Sequence, residues 1–314
     1  MAIGVEPERP PQPPTAEPAG PLGAFPAAAA TGQWRVVARR FRRRKLAMAG
    51  LAGLAVLALS AVFAPLLTPY DVTPTLNSKV LSESRQSPSL RHPFGTDELG
   101  RDQLTRVLHG GRISLLVGLS VALASSVIGT TVGAVAGYFG GWVDQVLMRL
   151  VDLLLVLPGT ALVMIAQKGL GSSLPVIVLI LAFLFWRSIA RIVRGLFLSL
   201  KTQEFVEAAR ASGASSARII VSEMLPSAIG PICVHLALAS GAAILSESGL
   251  SFLGFGIQPP AVSWGNMLAH SRGAVGTDLA YLVYPPGLAI LLTVLAVNFV
   301  GTGLRDALDP QTRA

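Results

Sequence analysis

The side chains that most often carry chemistry are few in this chain and badly spaced for it. Its four lysines, Lys45, Lys79, Lys168 and Lys201, follow Arg, Ser, Gln and Leu. A phosphate-cradling P-loop needs a glycine before its lysine, so ATP is not bound here in that way. His92, His109, His235 and His270 never stand at i, i+4, and no His-Glu-x-x-His run occurs. A helix-borne zinc hydrolase site is therefore not expected. There is no Gly-x-Ser-x-Gly elbow. The single cysteine, Cys233, excludes an intrachain disulfide and a Cys-rich zinc site. No catalytic set, cofactor or metal is expected. What remains is a docking chemistry. Residues 204–213 run Glu204-Phe205-Val206-Glu207-Ala208-Ala209-Arg210-Ala211-Ser212-Gly213, and the chain continues to Met224-Leu225-Pro226. Ala208, Ala209 and Ala211 favour helix. Glu204 and Glu207 suit its positive N-terminal end. Gly213 is placed to end it in the left-handed conformation. Small residues beside Glu207 let such a helix lie close against a partner, with Glu207 and Arg210 as polar contacts. A helix seated in a partner's cleft is the natural use. The competing use, a helix lying on a bilayer, is poorly served by an apolar face of mainly Phe205 and Val206.

The elements that must hold this segment are membrane spans. Of 314 residues, 52% are hydrophobic and 13% charged, about half the charged share of a soluble globular chain. A helix needs about 20 apolar residues to cross the hydrocarbon. Six stretches qualify: 46–67, 113–139, 146–166 with Asp152 and Pro158 inside it, 174–189, 227–245 and 279–304. The expected fold is all-α, a polytopic transmembrane bundle of six spans, because backbone in lipid must satisfy its own hydrogen bonds. A short helix over 218–224 is expected before the fifth span, with Pro226 marking entry to that span. With both termini placed in the cytoplasm, 17 of the 25 Lys and Arg fall inside and 8 outside, as the positive-inside rule asks. Residues 204–226 then lie on the cytoplasmic side.

Residues 1–33 hold eight prolines between Pro7 and Pro26 and the run Ala27 to Ala30. They are read as a disordered cytoplasmic tail. Residues 34–45 carry seven basic side chains and no acid. Nucleic-acid binding is one use of such a block. Because it abuts the first apolar run, a topology anchor beside anionic headgroups fits better, and no nucleic-acid partner is expected. Residues 46–304 form the spanning domain and 305–314 a second cytoplasmic tail.

Glu207-Ala208-Ala209, then Gly213, then Leu225-Pro226 resembles the EAA motif in permease subunits of bacterial ABC importers. Two further stretches narrow the resemblance to the C-type permease subunit of dipeptide, oligopeptide and nickel importers. They are His92-Pro93-Phe94-Gly95-Thr96-Asp97 with Gly100-Arg101-Asp102, and 249–260 leading to Ser263-Trp264-Gly265-Asn266-Met267-Leu268. The resemblance covers about residues 35–312. Met224 departs from the family's usual isoleucine, and Glu223 stands where a basic or neutral residue is commoner. The resemblance implies a type I ABC importer transmembrane fold in a bacterial plasma membrane. It implies four kinds of partner: a homologous second permease, two ATPase subunits, an extracytoplasmic solute-binding protein and the bilayer. Residues 204–213 would be the coupling helix. Glu204, Glu207, Ala208, Ala209, Arg210, Gly213, Leu225 and Pro226 would serve the ATPase contact. The cargo it implies is a di- or oligopeptide, or alternatively nickel.

Gly129, Gly133 and Gly137 recur every four residues, a spacing that lets helix backbones approach closely. Asp152 is expected to face the pathway, a polar partner or water near the cytoplasmic end. Glu247 is expected to serve structure. Residues 95–102 read as an external element. Pro285-Pro286 should kink or delay the last span. An ion-coupled secondary transporter would call for intramembrane ionisable residues and an internal repeat; two acids and no evident repeat suit it poorly. A membrane scaffold using the basic block leaves residues 204–226 unexplained.

Overall fold

The computed structural model describes residues 29–73 and 78–308. The chain divides into two units, Met1–Val36 and Val37–Ala314. Of the first, the described part is the opening of helix α1 (Ala29–Arg43). Positions 1–28 of the Pro-rich tail and the final 309–314 lie outside the described residues, whereas 29–33 belong to α1.

The second unit is helical. It contains α2 (Lys45–Val62), α3 (Ala64–Leu67), α4 (Ser78–Ser82), α5 (Gln103–Phe139), α6 (Gly141–Val156), α7 (Gly159–Leu170) and α8 (Leu174–Leu200). Next come α9 (Glu204–Ala211), α10 (Ser216–Arg218), a π turn over Ile219–Met224, α11 (Leu225–Phe252), α12 (Trp264–His270), two 3-10 turns and α13 (Tyr284–Leu308). Among the described residues there is no strand, only the isolated bridge between Thr96 and Asp102.

Five helical stretches are long and apolar enough to cross a membrane. The sixth expected span is not one straight helix. It breaks into α6 and α7, which bend by 89° at Leu157 and Pro158. Proline lacks the N–H that would carry α6 onward and disfavours helix in the residue before it. Counting the bent pair as one span gives six.

Other boundaries move, each for a visible reason. The first span stops at Val62, and α3 restarts with Pro65 in its first turn. The second starts ten residues early, at Gln103, because Asp102 caps it: its carboxylate accepts from Thr105 N at 2.8 Å and from Thr105 Oγ1 at 2.7 Å. The fourth runs on to Leu200, through Arg187, Arg191 and Arg194. The fifth is the end of a continuous Ser216–Phe252 stretch; the helix expected over 218–224 is a π turn within it, and Pro226 sits in the first turn of α11. In the last span Pro285 and Pro286 delay the α-helix instead of kinking it. They occupy the opening turn of α13, after a 3-10 turn at Ala280–Leu282.

The helices run between two ends. At one end lie α9, the last turn of α5 and the first turn of α11; at the other lie α12 and the start of α5. In lipid, helices gain little by hiding apolar side chains from one another, so close backbone approach decides their association. α5 and α8 meet along Gly129, Gly133 and Gly137. A methyl group at Gly129 would strike Ile189 and Trp186 O; at Gly133 it would strike Ala190 O and Val193; at Gly137, Phe197 Cβ at 2.6 Å. α2 lies as closely on α13, where a Cβ at Gly50 would come within 2.7 Å of Ala296 O. Val127, Leu153, Leu179 and Leu291 point away from the bundle and are exposed, as lipid- or subunit-facing side chains are.

Candidate functional site

Helix α9 is eight residues long and could not stand alone in water. One side chain fixes it. Val206 is fully buried, in a cluster with Tyr138 of α5, Val193 and Phe197 of α8, Ile219 and Met224 of the π turn, and Ala228 of α11. Ala209 and Leu225 pack on the same cluster, half-buried. α9 is thereby tied to the ends of three long helices at once. Its C-terminus closes with Ser212 N–H donating to Ala208 O at 3.0 Å and Gly213 in the left-handed region at φ 77°.

The residues singled out for docking fall into two groups. Glu204, Glu207, Ala208 and Arg210 are exposed and, with Phe205, make up the outer surface of α9. Gly213 and Pro226 are exposed on the flanking turns. Ala209 and Leu225 instead belong to the support beneath. Gly129, Gly133 and Gly137 lie within the bundle between α5 and α8, away from this surface. Met224 is fully buried in the supporting cluster. Glu223, one residue earlier, is half-buried.

Val206 was the residue most easily misjudged. By composition it pairs with Phe205 as a weak apolar face; in the fold Phe205 is 37% exposed and Val206 is not exposed at all. Sequence reasoning also missed two ion pairs between α6 and α8. Arg194 grips Asp144 through Nε at 2.5 Å and Nη2 at 2.6 Å, and Arg191 pairs with Asp152. The signal was present: Arg187, Arg191 and Arg194 share a face at helical spacing, and so do Asp144 and Asp152. Asp152 therefore meets a polar partner, and both members of that pair are about half exposed.

At the other end a polar lattice holds the loops over the helices. Glu247 of α11 is fully buried and accepts from Ser251 Oγ at 2.7 Å and Ser263 Oγ at 2.9 Å. Ser263 and Asn266 form a capping box that starts α12. Trp264 donates its indole N–H to Val107 O at 2.8 Å, and Ser114 Oγ accepts from its backbone N–H at 3.1 Å. The stretch 249–268 is thus an inward-folded brace, joined to Glu247 Oε1 through Ser251 and Ser263. Residues 95–102 form a second brace. Gly95 and Gly100 adopt positive φ beside Tyr281 and Val80, where a side chain would clash. His92, buried at 3% exposure, donates Nδ1–H to Asp102 Oδ1 at 2.8 Å.

Asp102 thus does two jobs, and Asp102→Ala should destabilise accordingly. Losing the cap costs about 1 kcal/mol, and leaving the buried His92 donor unpaired adds about 1–3 kcal/mol. Thermal unfolding in detergent, followed by thiol-dye reaction of the half-buried Cys233, should show a clear drop. Asp102→Asn keeps an acceptor oxygen for Thr105 but turns its amide NH2 toward His92, so it should recover the cap's share and not the rest.

These elements define a class: a helical membrane protein with a polar helix presented from one end of its bundle. The profile of the family described as binding-protein-dependent transport system inner membrane component matches residues 129–314, and that of the N-terminal TM domain of oligopeptide transport permease C matches residues 32–88. The dipeptide transport system permease protein DppC of Bacillus subtilis (strain 168) is 43% identical over 88% of this chain and 85% of that protein. The oligopeptide transport system permease protein OppC of Mycobacterium tuberculosis (strain ATCC 25618 / H37Rv) is 43% identical over 89% and 95%. The glutathione transport system permease protein GsiD of Escherichia coli O6:K15:H31 is 41% identical over 89% and 91%. The fold is shared with a chain of the MetNI methionine ABC transporter in inward facing conformations, at TM-score 0.54 and 18% identity, covering 65% of this chain and 96% of that one. This chain belongs to the binding-protein-dependent transport system inner membrane component family. It is a permease subunit with the transmembrane fold of ABC importers.

Proposed function

We propose that this subunit forms one half of a peptide-import pathway and that α9 is the helix through which separate ATPase subunits drive it. The cargo named for the three relatives above is peptide in each case: dipeptide, oligopeptide or glutathione. The other half is a homologous second permease. Two ATPases bind at the α9 end, and an extracytoplasmic binding protein delivers cargo at the α12 end. The distribution of Lys and Arg supports both termini and α9 in the cytoplasm of a bacterial cell. ATP hydrolysis belongs to the partners, since no Gly-Lys pair exists here.

The observation that carries this reading is the two-sidedness of α9. Its inner face is anchored by Val206 to α5, α8 and the π turn; its outer face offers Glu204, Glu207, Ala208 and Arg210. A partner that pushes the outer face moves the ends of three long helices together, because a close-packed cluster transmits displacement without absorbing it. Rigid-body rocking of such bundles is an established way to alternate access.

Affinity purification of the tagged chain in mild detergent, with mass spectrometry of what accompanies it, tests the assembly. A second six-span subunit and P-loop ATPases are expected. Reproducible recovery of the folded chain alone would overturn the reading.

A further inference from the structure

Arg187, Arg191 and Arg194 stand on one face of α8. Two of them are neutralised by carboxylates of α6, Arg194 by Asp144 and Arg191 by Asp152. Arg187 is held differently. Its Nε donates to Leu184 O at 2.7 Å and its Nη1 to Leu154 O. Leu154 lies in the last turn of α6, where carbonyls have no helical donor. Arg187 therefore satisfies a helix end. A carbonyl carries only a partial charge, so most of the cation is left uncompensated. Arg187 is also the middle residue of α8, roughly 20 Å from either end at about 1.5 Å per residue. A cation on a membrane helix with no acidic partner is expensive and marks function more often than structure.

Arg187 borders a cavity of about 540 Å³ between α7, α8 and α11, a size suited to a small ligand. The walls combine Val163 and Leu250 with the hydroxyls of Thr160, Ser188 and Ser246. The first turn of α7 opens on the same space through Gly159 and Thr160, and the N-terminus of a helix is its positive end. Among the described residues lining the cavity there is no Asp or Glu. The one charged side chain that lines it is the Arg187 cation.

We infer that this cavity is a carboxylate-binding subsite on the transport route, with Arg187 as its cation. The ligand class is a small organic solute bearing a free carboxylate. On the peptide-import reading, on which this identification of the cargo rests, the group is the peptide's C-terminal carboxylate. The carbonyl ligands suit the task. An aspartate in their place would quench Arg187, and a bare cation would hold the cargo too long; a pathway needs binding strong enough to admit and weak enough to release.

The test uses the complete importer in nanodiscs. It is photolabelled with 4-azidobenzoate and, in parallel, with the neutral 4-azidobenzamide, and adducts are mapped by mass spectrometry. Adducts near Thr160, Ser188 and Ser246 should favour the carboxylate by about tenfold, the effect of a charge-assisted hydrogen bond. Arg187→Gln should remove that excess, and Arg187→Lys should keep part of it. Equal labelling of the unmodified complex by the two probes would overturn the inference. So would an excess that survives Arg187→Gln. Loss of the second permease from a folded Arg187→Gln complex would overturn it too, by assigning Arg187 to a subunit contact. Uptake of a mixed set of di-, tri- and tetrapeptides and glutathione by the unmodified importer with its binding protein is measured alongside. Absence of any uptake would refute peptide import, and the labelling ratio would still decide the subsite.

Discussion

Glu207→Lys is expected to leave the subunit folded and assembled while lowering ATP-driven uptake by tenfold or more. Folding should survive because Glu207 is exposed on the outer face of α9, and the helix is held from its inner face by Val206. Transport should not survive, because the change reverses a charge at the surface proposed to enter an ATPase cleft. Truncating one partner of a buried charge pair costs about 2–5 kcal/mol at an interface, and about 1.4 kcal/mol is already tenfold. The measurement is uptake and ATPase rate in proteoliposomes on the same preparation. ATP hydrolysis that continues without uptake is the signature of lost coupling. Unchanged uptake would remove Glu207 from the coupling surface. Val206→Asp supplies the contrast. It places a charge in the cluster that ties α9 to α5 and α8, so it should fail at folding and assembly.

The two outcomes separate what each face of α9 does, and they mark where the sequence was readable. The outer face was legible because it depends on types in a row: two acids in the first turn, small residues between, and a glycine at the stop. The inner face was not. Val206 is one apolar residue in a polar stretch, and only the convergence of Tyr138, Phe197 and Met224, up to 86 positions apart in the chain, shows what it anchors. The same division holds for the spans. Hydropathy located all six but ended the fourth at Ile189, because Arg191 and Arg194 look like the close of a membrane segment. In the fold they stay on α8 because α6 supplies Asp152 and Asp144 at matching heights. The charges are compensated across a helix pair, which no window along one segment can register. The bend of the third span was half legible. Pro158 was visible inside it, but nothing local distinguishes a kink from an 89° break. Glu247 was visible as an acid within a span, but its partner Ser263 comes from the brace that folds back over α11.

The glycine row on α5 should give a clear loss of stability from the addition of a single methyl group. Gly133→Ala places Cβ against Ala190 O, 2.9 Å from Val193 Cβ and 3.0 Å from Arg194 N. Two of those three atoms are backbone of α8, so no rotamer change relieves the contact and the helices must separate. Overpacking of this kind costs about 1–3 kcal/mol. It acts where close approach is the main source of association between helices in lipid. The opening would also spread, because Gly129 and Gly137 lie on the same seam, where an added Cβ would meet Trp186 O and Phe197 Cβ. Gly133→Leu should therefore abolish recovery of the folded subunit. Gly195→Ala on α8 is the matched control. A Cβ there meets nothing within 4 Å, and alanine is the better helix former by about 1 kcal/mol. The same chemical change on the two helices of one pair should thus have opposite signs, read as midpoints of thermal unfolding in detergent. Equal shifts would mean that helix propensity outweighs approach, and that α5 and α8 are held together elsewhere. A large drop confined to Gly133→Ala would place the cohesion of the bundle on the one face where the backbones meet. The pairs Asp144–Arg194 and Asp152–Arg191 would then set the position of α6 against an α8 already fixed by α5.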